Sequence, residues 1–246
     1  MIDVMLLVLF MIGLGGILVC VGVFLIPIGG APAAMSTATG VATGCEMITM
    51  GAGVTGLFLA AAFYTKSLMF VIITAGVSSA LMLAITMLFT NLIVIFGKGV
   101  PPAFATKERD PITGDPIKPY VTPGTVGHGV PTAPYLGGVL GSFLAGAGGA
   151  LAFTAMYRFS SGATLAEFVG VLPQPAPQVA AMALSVITAV GLYLINANIA
   201  AYSIRGVIES WLDPKFSKLP RVIAACFSAS ILFGVLILLV SIGGVG

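Results

Sequence analysis

The chain has 246 residues, of which 59% are hydrophobic and only 7% charged, with a formal net charge of +2 and a mean hydropathy of +1.14. A soluble domain keeps about a quarter of its residues charged, so this composition excludes an ordinary soluble enzyme and points to a polytopic membrane protein. The small positive charge sits almost wholly in two loops and gives no support for nucleic-acid binding.

A helix needs roughly 20 apolar residues to cross the hydrocarbon core. The uncharged runs predict six such spans, near residues 5–26, 47–64, 68–96, 134–157, 177–204 and 221–243. The expected fold class is therefore an all-α integral membrane protein of about six transmembrane helices, with a short re-entrant or broken segment after the first. Residues 1–246 form one transmembrane domain in this reading. The opening MIDVML carries an acid and no basic residue, so the first span is expected to be a retained helix and not a cleaved signal peptide.

Behind the first span comes GGAPAAMSTATGVATGCE, residues 29–46. Pro27 and Pro32 lack backbone donors and stop the first helix near Ile26. The residues after Pro32 are rich in helix-compatible alanine and in hydroxyls that can bond the backbone, and Gly40 with Gly44 makes a close-packing face. The stretch reads either as a re-entrant or broken segment, or as a polar extension of the second helix. Non-helical backbone at membrane depth survives only where protein or a water-filled cavity surrounds it. Glu46 then carries the chemical interest, because an intramembrane carboxylate by default marks an ion or substrate path. Thr39 and Thr43 are its candidate co-ligands, oxygen donors suited to a hard cation such as sodium. The plain alternative is an acid marking the interfacial start of the second helix, where it suits the helix dipole.

Asn91 lies inside the third span, where it can bond a neighbouring helix, and the loop 97–133 behind that span is broken by proline and glycine throughout. It has no calcium-loop spacing, and its lone His128 has no sequence partner, so it serves as a connector or as a docking surface for soluble partners. In the fourth span Gly137, Gly141, Ala145 and Gly149 recur every four residues and predict a smooth face for another helix. The fifth span holds Asn196 and Asn198, which either pack against a neighbouring helix or belong, as weaker candidates, to the same ion path. Asn91 precedes Lys98 by the same seven residues that separate Asn198 from Arg205, a faint sign of a parallel internal repeat. Residues 205–220 read as an interfacial amphipathic segment around Trp211. Cys20, Cys45 and Cys226 have no metal or redox spacing and behave as small apolar residues.

Lys98, Lys107, Arg109, Lys118, Arg205, Lys215, Lys218 and Arg221 fall on one side of the six-span topology, and only Lys66 and Arg158 on the other. The excess of basic residues marks the cytoplasmic side, which places loops 97–133 and 205–220 inside and both termini outside. No nucleophile, phosphate loop or dinucleotide fingerprint appears, so this chain alone has no catalytic constellation.

The blocks VGVFLIPIGGAPAAMSTATGVATG, GAGVTGL, ITMLFTNLIVIFGKG and DPITGDPIKPYVTPGTVGHGVPT together resemble the D subunit of the tetrahydromethanopterin S-methyltransferase of methanogenic archaea, over essentially the whole chain. The resemblance implies a cell-membrane complex that moves a methyl group from methyl-tetrahydromethanopterin to coenzyme M and couples the transfer to sodium export. It implies no cofactor in this chain, a cobalt corrinoid on a partner subunit, and two related integral membrane subunits beside this one, in contact with membrane lipid. Ion translocation or scaffolding is then the expected role. The competing function is a self-contained secondary transporter or ion channel, which the composition fits equally well.

Overall fold

The computed structural model describes residues 2–26, 41–96, 132–163, 179–203 and 215–243, and side chains within them except at 41–49, 90, 91, 93–96, 132–134, 215 and 243. These residues form six helices: α1 (Ile2–Leu25), α2 (Val41–Ala62), α3 (Leu68–Phe96), α4 (Thr132–Ser160), α5 (Val179–Ser203) and α6 (Lys215–Gly243). Five of them are long and apolar enough to cross a membrane, and α2 contributes a shorter apolar stretch, Met50–Ala62. The expected all-α architecture of about six helices is what is found.

Two boundaries differ from the sequence expectation. Helix α2 begins at Val41, so residues 41–46 are its polar extension; residues 27–40, the place of the alternative broken segment, lie outside the described residues. Helix α6 begins at Lys215 and contains Pro220, whereas the hydropathy pattern starts the span after that proline. In the second turn a proline forfeits a single intrahelical hydrogen bond, and the rest of the ladder continues past it. Trp211 lies outside the described residues.

Helix α4 is the centre of the bundle. It packs against α1, α2, α3 and α5, and 67% of its apolar span is buried, against 33% for α3 and for α6. It is also the least hydrophobic of the five long spans, which follows from its position: a helix surrounded by other helices can be made of glycine and alanine, while lipid-facing helices must carry large apolar groups. Helix α3 shows that outer pattern, exposing Met69, Ile73, Val77, Leu81, Ile85 and Leu88 along one face.

Helices α1 and α4 run antiparallel with their backbones in contact. A Cβ on Gly148 would lie 2.5 Å from the Gly15 carbonyl oxygen, and one on Gly141 would lie 2.5 Å from that of Gly22. The predicted small-residue stripe holds at Gly137, Gly141 and Ala145, all against α1, but Gly149 faces Tyr193 of α5 and Gly148 takes its place on the seam. A row of every fourth residue rotates about 40° per step around a helix of 3.6 residues per turn, so it leaves the contact face after three steps.

The bundle has two distinct ends. At one, Leu25 meets Gly137, Ile26 packs with Leu83, Met87 and Tyr135, Phe24 meets Phe216, and Lys218 Nζ donates to the Ser203 carbonyl at 2.9 Å. At the other, Arg158 Nη2 donates to the Lys66 carbonyl at 2.7 Å and the Ser160 and Ser241 hydroxyls lie 3.4 Å apart. Helix α4 closes there in a Schellman turn, with Ala163 N bonded to Arg158 O, Gly162 N to Phe159 O, and Gly162 at φ 74°.

Candidate functional site

Thr43 and Glu46 stand on the first turns of α2, within one continuous helix that leads into the apolar stretch 50–62. Their side chains, and Thr39 altogether, lie outside the described residues. Glu46 is five residues past the start of the helix, about 7.5 Å along its axis at 1.5 Å per residue. Helix α2 runs parallel to α4, since Gly56 meets Gly146 and, further on, the rings of Tyr64 and Tyr157 lie 4.9 Å apart.

Where α2 crosses its neighbours the contacts are polar as well as close. Ser79 Oγ of α3 donates to the Ala52 carbonyl at 2.6 Å and sits against Gly56 and Gly146. Tyr193 of α5 is fully buried, donates its hydroxyl to the Gly53 carbonyl at 2.9 Å, and occupies the space left by the absent side chains of Gly53 and Gly149. One turn before Gly146, on the same side of α4, stands Ser142. Its hydroxyl is fully buried and has no hydrogen-bond partner among the described residues.

The structure separates Asn196 from Asn198. Asn196 is buried, donates to the Leu192 carbonyl and to Ser230 Oγ of α6, each at 2.9 Å, and accepts from Ser230 at 3.2 Å. Asn198 is half-buried, and its amide returns to the Leu194 carbonyl of its own helix at 2.8 Å. Residues two apart do not share a helix face, so the two amides are not brought to one place.

Two features escape sequence inspection. Cys20 of α1 and Cys226 of α6 belong to one buried apolar cluster, and Cys226 Sγ donates to the Asn196 carbonyl at 3.8 Å. Both thiols are buried, and nothing in their spacing could have signalled that they come together. Arg158, one of two basic residues on its side of the topology, is wholly buried and ties the end of α4 to the α2–α3 turn. The signal for it was available: an arginine ending a glycine-rich helix can bond free carbonyls at a neighbouring turn. Among the described residues no three His, Cys, Asp or Glu side chains come together.

Comparison with known proteins gives one consistent answer. The family model for the D subunit of tetrahydromethanopterin S-methyltransferase matches residues 5–230. The D subunit of that enzyme from Methanothermobacter marburgensis is 47% identical over 231 residues, covering 94% of both chains. The one from Methanopyrus kandleri is 43% identical over 233 residues, 95% of this chain and 94% of its own. The one from Methanosarcina barkeri is 36% identical over 239 residues, 96% and 95% respectively.

Proposed function

This chain belongs to the D-subunit family of tetrahydromethanopterin S-methyltransferase, and from that premise we propose that it carries the sodium-translocating work of a methyltransferase complex while methyl transfer proceeds on other subunits. The partners are a cobalt corrinoid subunit and two related integral membrane subunits. The substrates of the whole complex are methyl-tetrahydromethanopterin and coenzyme M.

One observation carries the reading: α2 is a single helix whose polar first third, with Thr43 and Glu46, runs directly into the shorter apolar stretch Met50–Ala62, packed among the long apolar helices of the bundle. An ionisable group at membrane depth costs about 2.5–3.5 kcal/mol on insertion scales and is retained mainly where it binds something. A carboxylate with nearby hydroxyls supplies the oxygen donors that a hard cation prefers. Helix α2 begins at the same bundle end from which α3 and α5 lead into the basic segments. By the distribution of basic residues that end is cytoplasmic, so Glu46 would receive sodium from the cytoplasm.

A scaffolding role is the second reading, favoured by the way Asn196, Ser79 and Tyr193 spend their polar groups on neighbouring helices. Glu46→Gln in the native complex separates the two. Assembly, read from copurified cobalt, should be normal, and the sodium dependence of methyl transfer should weaken by about tenfold or more. Unchanged sodium dependence in an assembled Glu46→Gln complex would remove Glu46 from the path and favour the scaffold.

A further inference from the structure

We propose that the Ser142 hydroxyl of α4 is a second ligand for the translocated cation, reached after Glu46 on the way through the bundle. The inference rests on the ion-path reading of α2 and extends it to a residue whose side chain is described.

Hydroxyls inside membrane helices have an ordinary solution: they bond a carbonyl three or four residues back in their own helix. This chain uses it repeatedly, at Thr55 to Gly51, Thr74 to Phe70, Ser185 to Ala181, Thr188 to Leu184 and Ser230 to Cys226. Ser79 takes the other course and bonds across to α2. Ser142 does neither, although it is fully buried, and Thr154 is the only other buried hydroxyl of Ser or Thr in that condition among the described residues. A buried polar atom without a partner is costly, and in native structures such an atom calls for an explanation such as a water or an ion.

Position distinguishes the two. Thr154 is one turn from the buried guanidinium of Arg158, whose charge repels a cation. Ser142 is 16 residues from Arg158, about 24 Å along the helix axis. It stands on the side of α4 that meets α2, one turn before the crossing of Gly146 with Gly56. Glu46 lies ten residues before Gly56, and Ser142 four before Gly146. With the two helices parallel, Ser142 is therefore about 9 Å deeper in the bundle than Glu46. Level with Ser142 and just beyond it, the same seam carries the Ala52 carbonyl and Ser79, further oxygen groups at the Gly56–Gly146 crossing. A neutral hydroxyl with unused lone pairs suits a small hard cation that has shed part of its hydration; under the reading above, that cation is sodium.

The test is Ser142→Ala in the native complex, beside Glu46→Gln. Alanine removes the oxygen and nothing that the hydroxyl bonds, so assembly and thermal stability should stay at wild-type level. The sodium concentration for half-maximal methyl transfer should rise about threefold to tenfold, and sodium-22 uptake into proteoliposomes should fall in step. If Glu46→Gln alters the sodium dependence and Ser142→Ala does not, Ser142 meets only water and the proposal is overturned while the path stands. If neither substitution changes it, both fall. Should the alanine variant assemble poorly, Ser142→Gly carries the same comparison.

Discussion

Helix α4 has two seams made of the same small residues and used for opposite purposes. Towards α1 the seam is dry: Gly15 and Gly22 lie against Gly148 and Gly141, backbone to backbone, with Leu18 and Val19 closing the sides. Towards α2 the seam is equally close at Gly56 and Gly146, but Ser79, Tyr193 and Ser142 bring oxygen to it. Lipid offers no hydrophobic drive between helices, so dense packing must hold the first seam. The second is no less close and also holds polar groups at depth. One helix thus provides both the fixed wall of the bundle and the oxygen-bearing wall on which the proposed ion path rests.

The largest expected effect breaks the dry seam. In Gly148→Leu the new Cβ would lie 2.5 Å from the Gly15 carbonyl oxygen and 3.0 Å from the Leu18 Cβ. The first of these is backbone and has nowhere to move, so the two helices must separate. Overpacking costs about 1–3 kcal/mol in soluble cores, and here it displaces the central helix pair. Purification of the variant from its native membrane should yield little or no assembled complex, whereas Leu140→Ala, at an exposed position of the same helix, should assemble normally. Normal assembly of Gly148→Leu would show that the α1–α4 contact is looser than described and would remove the contrast between the seams.

Much of this arrangement is legible in the sequence because charge is so scarce. The runs between charged residues mark the spans, and observed helices depart from them chiefly where hydropathy is a poor guide, at the polar start of α2 and ahead of Pro220. The glycine row of α4 is readable as a packing face, but its switch from the α1 face to α5 is not, since it depends on which neighbour each turn meets. Asn196 and Asn198 could have been told apart by helical period alone. Cys20 and Cys226, or Ser79 and Ala52, come together only through tertiary packing that no local spacing encodes. Ser142 is hidden for a further reason: within GGVLGSFLAGAGG it is one more small residue, and only the hydrogen bond it fails to make sets it apart.

A smaller effect sharpens what counts as structural polarity. Asn196→Ala removes the amide that bonds Ser230 across α5 and α6, while Ser230 keeps its own bond to the Cys226 carbonyl at 2.7 Å. Interhelical hydrogen bonds in membranes average about 0.6 kcal/mol and reach about 1.7. Asn196 also packs against Gly16 of α1, so alanine loses contact as well as the bond, and a loss near the upper value is expected in thermal unfolding of the detergent-solubilised complex, with sodium dependence as in the wild type. A shifted sodium dependence at undiminished stability would place Asn196 on the ion path after all and extend the polar seam to α6.

The smallest effect concerns Tyr193, which stands where the polar seam turns from α4 towards α5. Tyr193→Phe deletes the hydroxyl bonded to Gly53 and leaves the ring in the space between Gly53 and Gly149. Because the carbonyl of Gly53 can still accept its own helical bond, the loss should be about 0.6 kcal/mol, the ordinary worth of one interhelical hydrogen bond in a membrane. Gly149→Ala, whose Cβ would run into the Tyr193 hydroxyl, should destabilise the complex more than Tyr193→Phe does. In Tyr193→Phe that same Gly149→Ala should be only partly relieved, since the hydroxyl is gone but the ring carbons Cζ and Cε2 remain in the path of the new Cβ. A double-mutant cycle on thermal stability reads this directly. Strong coupling would mean that the close approach of α4 and α5 is set by the oxygen of Tyr193 itself, and purely additive losses would mean that the ring alone sets the spacing and the hydroxyl is incidental to it.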